Sequence, residues 1–171
     1  IGFLTDEKTP MIWRGPMVTS AIKTFTQQVN WRDLDFIIVD MPPGTGDTQL
    51  TFSQSIEMNG AIIVSTPQEV ALLDVKRGIK MFDKLGVKIL GLVDNMSFFI
   101  GDDGKKYKIF GEGEVKKTAE EFQKEFFGEI PINPEVGQTG DEGKPIVEAS
   151  PEHEISKIYL NFAEKIKSNY L

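Results

Sequence analysis

The sequence predicts an α/β fold: a doubly wound, mostly parallel sheet with helices on both faces. Short apolar runs alternate along the chain with stretches of helical periodicity, which is the pattern of strands connected by helices. Most of these runs are nearly unbroken in hydrophobicity, as in strands that are buried on both faces. The 171 residues suffice for one sizeable core and are few for two, so residues 1–171 are predicted to form a single domain.

The predicted elements follow from these patterns in chain order. Apolar runs rich in β-branched residues predict strands at residues 36–39, 61–64, 89–93 and 126–132. Apolar residues at helical spacing predict helices at residues 18–29, 72–82 and 155–166. Gly and Asp residues at 101–106 indicate a loop or a surface hairpin tip.

Composition excludes several classes of function. The formal net charge of −7 disfavours non-specific binding to nucleic acid or to an anionic membrane. The chain has no cysteine, so it forms no disulfide and supplies no thiolate to zinc or to an iron–sulfur cluster. Its one histidine, His153, excludes a multi-histidine metal site and is predicted to be solvated in the first turn of the last helix. We expect a cytoplasmic protein that binds neither nucleic acid nor membrane.

The N-terminus carries neither the basic nor the apolar segment of a signal peptide. It also begins without Met, which suggests a fragment of a longer chain.

The most informative segment links a predicted strand to a loop rich in Pro and Gly. The run 36–39 ends at Asp40, and residues 42–47 read Pro-Pro-Gly-Thr-Gly-Asp. A carboxylate at the carboxyl end of a strand can hold Mg²⁺, often through water, as a Walker B acid does. Gly44 and Gly46 would let the backbone approach a phosphate closely. The alternative is an ordinary strand end with a capping Asp, but the full run through Asp47 favours the phosphate site.

Sequence blocks along most of the chain resemble the Mrp/ApbC family of iron–sulfur cluster carrier proteins, which are deviant-Walker P-loop ATPases. The blocks appear in the family's order from Trp13 to about Pro145. They lie at residues 13–17, 34–47, 65–75, 94–99, 110–113, 128–131 and 141–145. The family is similar in fold to MinD, ParA and the nitrogenase iron protein, so the resemblance implies a P-loop NTPase fold.

The resemblance also implies roles for individual residues around the phosphates. Asp40 would be the Walker B acid near Mg²⁺, and Gly44 and Asp47 would belong to switch II, which senses the γ-phosphate. Arg14 would lie on the dimer-facing side of the nucleotide and contact phosphate or a partner's carboxylate. Read without the resemblance, Arg14 is equally well a surface Arg beside a core Trp.

Three further residues would form the adenine pocket of ATP. The resemblance implies that Asn95 hydrogen-bonds the adenine edge, for which an amide has both a donor and an acceptor. Pro131 and Ile132 would line the pocket. Read alone, Asn95 is equally well a turn-forming residue at a strand end.

The chain departs from the family's pattern in two places. It contains no G-x-x-x-x-G-K-[ST] run, and the resemblance implies that this P-loop precedes residue 1. The chain by itself is therefore expected to bind nucleotide poorly and to hydrolyse it negligibly. Where many relatives carry C-x-x-C, this chain has Asp102 and Asp103, which are poor substitutes for thiolates on a [4Fe–4S] cluster.

The leading hypothesis is an ATP-dependent iron–sulfur cluster carrier or assembly protein. The resemblance implies that it binds ATP and Mg²⁺, forms a homodimer and delivers [4Fe–4S] clusters to apo iron–sulfur proteins. One alternative is a catalytically inactive scaffold or regulatory module of the same fold. Another is a positioning ATPase like MinD and ParA.

Overall fold

The computed structural model describes residues 15–41 and 44–170. The chain divides into two compact units, Ile1–Met58 and Asn59–Leu171, and each is described by itself. The expectation of a single domain over residues 1–171 stays a prediction.

The first unit contains two helices, α1 (Gly15–Gln27) and α2 (Asp47–Ser55). They pack against each other, and Ile22 of α1 and Phe52 of α2 are both buried. After α1, the Trp31 side chain is bonded back to the helix: its Nε1 donates a hydrogen bond of 2.8 Å to the carbonyl oxygen of Phe25. The predicted helix at 18–29 is thus confirmed, with earlier bounds.

The strand predicted at residues 36–39 is wrong. These residues lie outside regular secondary structure, and their apolar side chains are exposed, Ile38 by 81%. A strand exists only where its N–H and C=O groups pair with a neighbouring strand. Within the part of the first unit that the structure describes, no strand is present to pair with.

The second unit is built on a four-stranded, mostly parallel sheet. β2 lies at its centre and pairs in parallel with β1 and β4, while the short β3 pairs with it antiparallel. Residues 101–105 form the predicted hairpin tip between β2 and β3. The elements are β1 (Ala61–Ser65), α3 (Glu69–Lys84), β2 (Ile89–Ile100), β3 (Lys106–Tyr107), α4 (Glu114–Glu121), β4 (Phe126–Ile132), α5 (Pro134–Asp141), α6 (Ile146–Ala149) and α7 (Glu154–Tyr170).

Helices cover both faces of this sheet, as the sequence predicts. Successive residues of a strand point to opposite faces, so Leu92 and Val93 of β2 enter different cores. Leu92 packs with Ile79 of α3 and with residues of α4. Val93 packs with Phe127 of β4 and Phe162 of α7. Each fully buried aliphatic side chain contributes roughly 1.5–3 kcal/mol, so the two clusters account for much of the stability of this unit.

The last helix begins differently from the prediction. α7 starts at Glu154, and His153 lies just before it with a half-buried side chain. His153 Nδ1 accepts a hydrogen bond of 3.1 Å from the backbone N–H of Ile155. The histidine therefore satisfies a free N–H group at the start of the helix and is not the solvated residue that the sequence predicts.

Candidate functional site

Polar residues lie side by side across the sheet of the second unit where the pairing of β1 with β2 ends. Ser65 is the register partner of Asp94, and Asp94 is the register partner of Glu129. Register partners on parallel strands project to the same face of the sheet. Ligands of open α/β sheets bind beyond this edge, so the three side chains border a candidate site.

Asp94 has the most unusual environment of these three residues. Its side chain is only 1% exposed, and Oδ1 finds no hydrogen-bond donor among the described residues. Burial raises the pKa of Asp94 from 3.8 to about 6; the charge of Glu129 adds to this effect and that of Lys108 opposes it. Sequence reasoning assigned this residue no role, although an acid directly after an apolar strand is the signal that singled out Asp40.

The predicted adenine-pocket residues lie on adjacent strands of the same unit. Asn95 of β2 is the register partner of Ile130 of β4, which directly precedes Pro131. Pro131 is buried, while Asn95 and Ile132 are half-buried. Asn95 therefore shares a face of the sheet with Ile130 and Ile132, whereas Pro131 projects to the opposite face. The assignment of these residues to an adenine pocket stays a prediction.

The backbone around Asn95 departs from a regular strand. The register shifts after the Asn95–Ile130 pair and resumes at Phe99 and Ile132. Within this bulge Met96 adopts the left-handed conformation, with φ of 55°, which is uncommon for a residue other than Gly. Bulges re-aim side chains and often lie next to functional sites. Sequence reasoning missed this bulge.

The predicted phosphate and metal residues belong to the first unit. Asp40 is exposed and follows the irregular segment 36–39. Gly44 has φ of 95°, which favours Gly over other residues. Asp47 is the first residue of α2, with Gly46 as its N-cap. Arg14 lies outside the described residues, as do Pro42 and Pro43 of the same loop, and the roles of all these residues stay predictions.

The hairpin tip at residues 101–105 uses the carboxylate of Asp103 for hydrogen bonds within the hairpin. Asp103 accepts hydrogen bonds from the backbone N–H of Lys105 at 3.1 Å and from the Tyr107 hydroxyl at 3.0 Å. The Lys105 N–H is the main reason that the pKa of Asp103 lies below its usual value. Residues 15–41 and 44–170 contain no group of three His, Asp or Glu side chains that could hold a metal ion. Their helices include none that could cross a membrane.

Two solved structures show the class of fold. MinD from Pyrococcus furiosus shares 22% identity and a TM-score of 0.63, over 91% of this chain and 59% of MinD. A nucleotide-binding protein from Archaeoglobus fulgidus, solved in complex with ADP, shares 38% identity and a TM-score of 0.67, over 75% of this chain and 53% of that protein. The fold is therefore that of a P-loop NTPase of the MinD and ParA type.

The family follows from the sequence. The ParA model described as NUBPL iron-transfer P-loop NTPase matches residues 1–167, and the chain belongs to this family. The iron–sulfur cluster carrier protein of Synechocystis is 48% identical over 168 residues, which cover 97% of this chain and 48% of the relative. The chain spans about half the length of the curated relatives that it matches.

Proposed function

We propose that the protein is an ATP-dependent iron–sulfur cluster carrier that binds Mg·ATP and delivers clusters to apo iron–sulfur proteins. Family membership and similarity to relatives such as the iron–sulfur cluster carrier protein of Aquifex aeolicus support this proposal. The structural observation that supports it most is that Asn95 and Pro131 lie on β2 and β4, which are neighbouring strands of one sheet.

The base would bind at the carboxyl edge of the sheet, near Asn95 of β2 and Pro131 of β4. Asn95 would donate from its amide nitrogen to an adenine ring nitrogen and accept from the exocyclic amine. Pro131 and Ile132 would cover the ring with apolar surface. A site that hydrogen-bonds the base edge discriminates strongly against bases with a different pattern of donors and acceptors.

The residues proposed for the phosphates and the metal ion come from the family resemblance. Asp40 is a carboxylate, the ligand type that Mg²⁺ prefers, and its exposure leaves it accessible to a hydrated ion. Mg²⁺ would neutralise charge on the phosphate oxygens. Gly44 and Asp47 would respond to the γ-phosphate, and Arg14 would contact phosphate or a partner subunit.

The [4Fe–4S] cluster is the cargo in this proposal. Such clusters are held by thiolates, and this chain contains no cysteine, so its residues do not fit the cluster. Asp103, at the position of the family's C-x-x-C, is already bonded within the hairpin. The thiolates would therefore come from outside residues 1–171 or from a recipient protein.

Two further properties belong to the proposal. We propose a homodimer, because the family resemblance implies that Arg14 lies on the dimer-facing side of the nucleotide. We propose the cytoplasm as the compartment, since the acidic, cysteine-free composition fits a reducing environment.

Binding of Mg·ATP to the full-length protein, measured by titration calorimetry, is the first test. We expect micromolar binding that weakens at least 10-fold in Asn95→Ala, because the base loses its polar partner. The control is Asn161→Ala, a change of the same type at an exposed site on α7. A full-length protein without measurable ATP affinity would support the inactive scaffold instead.

The metal role is tested separately with Asp40→Asn. We expect this variant to lose the Mg²⁺ dependence of ATP binding and most ATP hydrolysis, because the amide removes the charge that attracts the hydrated ion. Asp35→Asn is the control, since Asp35 is an exposed acid a few residues earlier. Equal effects of both substitutions would contradict the assignment of Asp40.

Cluster delivery is tested by loading the full-length protein with iron and sulfide under anaerobic conditions. The loaded protein is then mixed with an apo [4Fe–4S] enzyme whose activity reports transfer. We expect activity to recover faster with ATP than without it. Recovery no faster than with iron and sulfide alone would refute the carrier function while leaving ATP binding intact.

A further inference from the structure

The strands that carry the two walls of the proposed adenine pocket lose their regular pairing at the pocket itself. Between the Asn95–Ile130 pair and the Phe99–Ile132 pair, β2 advances four residues while β4 advances two. The backbone of β2 therefore bulges where it should fix the position of Asn95 relative to Pro131. Bulged residues leave the regular ladder of hydrogen bonds.

Two residues at this point further weaken the backbone pairing between β2 and β4. Pro131 has no backbone N–H and cannot donate to β2. Met96 holds a left-handed conformation, which costs a non-glycine residue free energy and persists only where its surroundings enforce it. After the Asn95–Ile130 pair, another interaction is therefore needed to hold β2 against β4 until regular pairing resumes at Phe99 and Ile132.

Ser97 supplies such an interaction. Its hydroxyl donates a hydrogen bond of 3.2 Å to the carbonyl oxygen of Ile130, and its side chain is only 4% exposed. The bond joins the residue two positions after Asn95 to the residue directly before Pro131. It thus bridges the two pocket walls across the interruption in the ladder.

We propose that Ser97 is a positioning residue for the base pocket, whose hydroxyl fixes the spacing between Asn95 and Pro131 so that the pocket selects adenine. This inference rests on the proposed binding of ATP. Ser97 does not itself contact the nucleotide. It acts through the backbone of Asn95, two residues before it, and through its hydrogen bond to Ile130. Its removal takes away a buried side-chain hydrogen bond where the ladder between the strands is interrupted, and it frees the bulge to relax.

The test compares two buried serines in the full-length protein. Ser97→Ala removes the bridge, and Ser156→Ala is the matched control, because Ser156 is fully buried and its hydroxyl reaches the backbone carbonyls of Ile146 and Ser150. Calorimetry gives the Kd values of Mg·ATP and Mg·GTP for each protein. Circular dichroism confirms that each variant is folded. If Ser97→Ala does not fold, Ser97→Cys replaces it, because a thiol has a similar volume and is a weaker donor.

We expect Ser97→Ala to weaken ATP binding about 10-fold while GTP binding changes little, so that selectivity for adenine falls by a similar factor. In steady-state hydrolysis KM for ATP should rise while kcat stays constant, as for a loss of uniform binding. Ser156→Ala should change neither selectivity nor KM.

Unchanged selectivity in Ser97→Ala, or an equal loss in Ser156→Ala, would overturn the positioning role. Failure of the proposed function gives a different result, because the unsubstituted protein then binds neither nucleotide.

Discussion

Asp94 and Glu129 are register partners on the neighbouring parallel strands β2 and β4, so their carboxyl groups project to the same face of the sheet. Asp94 is buried and Glu129 is exposed. Burial first, and the charge of Glu129 second, raise the pKa of Asp94 to about 6. The folded protein therefore holds a proton on Asp94 under conditions in which the unfolded chain has released it.

This difference predicts a pH dependence of stability. Between pH 4 and pH 6 the folded state binds more protons at Asp94 than the unfolded state, so the contribution of Asp94 to stability falls as pH rises. A shift from 3.8 to about 6 corresponds to about 3 kcal/mol. In urea unfolding, Asp94→Asn should therefore gain stability relative to the unsubstituted protein across this range and keep that gain at pH 7. Asp102→Asn, in the exposed hairpin turn, is the control, and a pH-independent difference for Asp94→Asn would contradict the assignment.

The contact between Gly91 and Phe127 predicts a large effect of a single methyl group. A Cβ at Gly91 would lie 2.1 Å from Cδ1 of Phe127, so Gly91→Ala forces the ring out of its packed position. We expect a loss of about 1–3 kcal/mol or more in the free energy of unfolding. Gly78→Ala in α3 is the matched control, because a Cβ added at this position would have no atom within 4 Å. Its free energy of unfolding should rise by about 0.5–1 kcal/mol. Similar values for both variants would mean that Phe127 does not pack on Gly91.

The core beneath α3 gives a second stability prediction. Ile79 is fully buried between α3 and the sheet, so Ile79→Ala leaves a cavity and should cost about 2–5 kcal/mol. Leu73→Ala on the same helix removes an exposed side chain and should change stability by less than about 1 kcal/mol. Chemical denaturation of both variants measures the difference, and equal losses would show that α3 does not pack as described.

The start of α5 predicts a smaller effect. The Oδ1 atom of Asn133 accepts a hydrogen bond of 2.8 Å from the backbone N–H of Glu135, which caps this helix. Asn133→Ala should cost about 1 kcal/mol, whereas Asn133→Asp, which keeps the acceptor, should cost less. A thermal unfolding series resolves the two, and a larger loss for the Asp variant would contradict the capping role.

Much of the second unit could be predicted from the sequence, because its apolar runs are continuous and their partner strands lie nearby along the chain. Residues 61–65, 89–100 and 126–132 form strands that pair with one another. The run 36–39 has the same apolar pattern and is not a strand. The apolar composition of a segment indicates its tendency to be buried. Whether the segment forms a strand also depends on a neighbouring strand to pair with, and the segment's own pattern does not reveal one.

The candidate site was predictable to a similar extent. A polar residue that directly follows an apolar strand marks the sheet edge where ligands bind, whereas the role of Asn95 came from the family resemblance. The same signal marks Asp94, but its raised pKa depends on how deeply neighbouring elements bury it. Ser97 was not predictable, since its proposed role depends on a shift in register between β2 and β4, which the apolar pattern of neither strand contains.

The order of the elements has a consequence for synthesis on the ribosome. Phe162 and Ile155 of α7 cover Val93, Phe127 and Ile130, yet α7 is translated after all four strands. At roughly 5–20 residues per second, the nascent sheet emerges seconds before the helix that closes its second core. During that interval the growing chain exposes an apolar surface. Substitutions in α7 that slow its docking would prolong this interval, in which chaperone binding and aggregation compete with folding, and would therefore lower the yield of folded protein first.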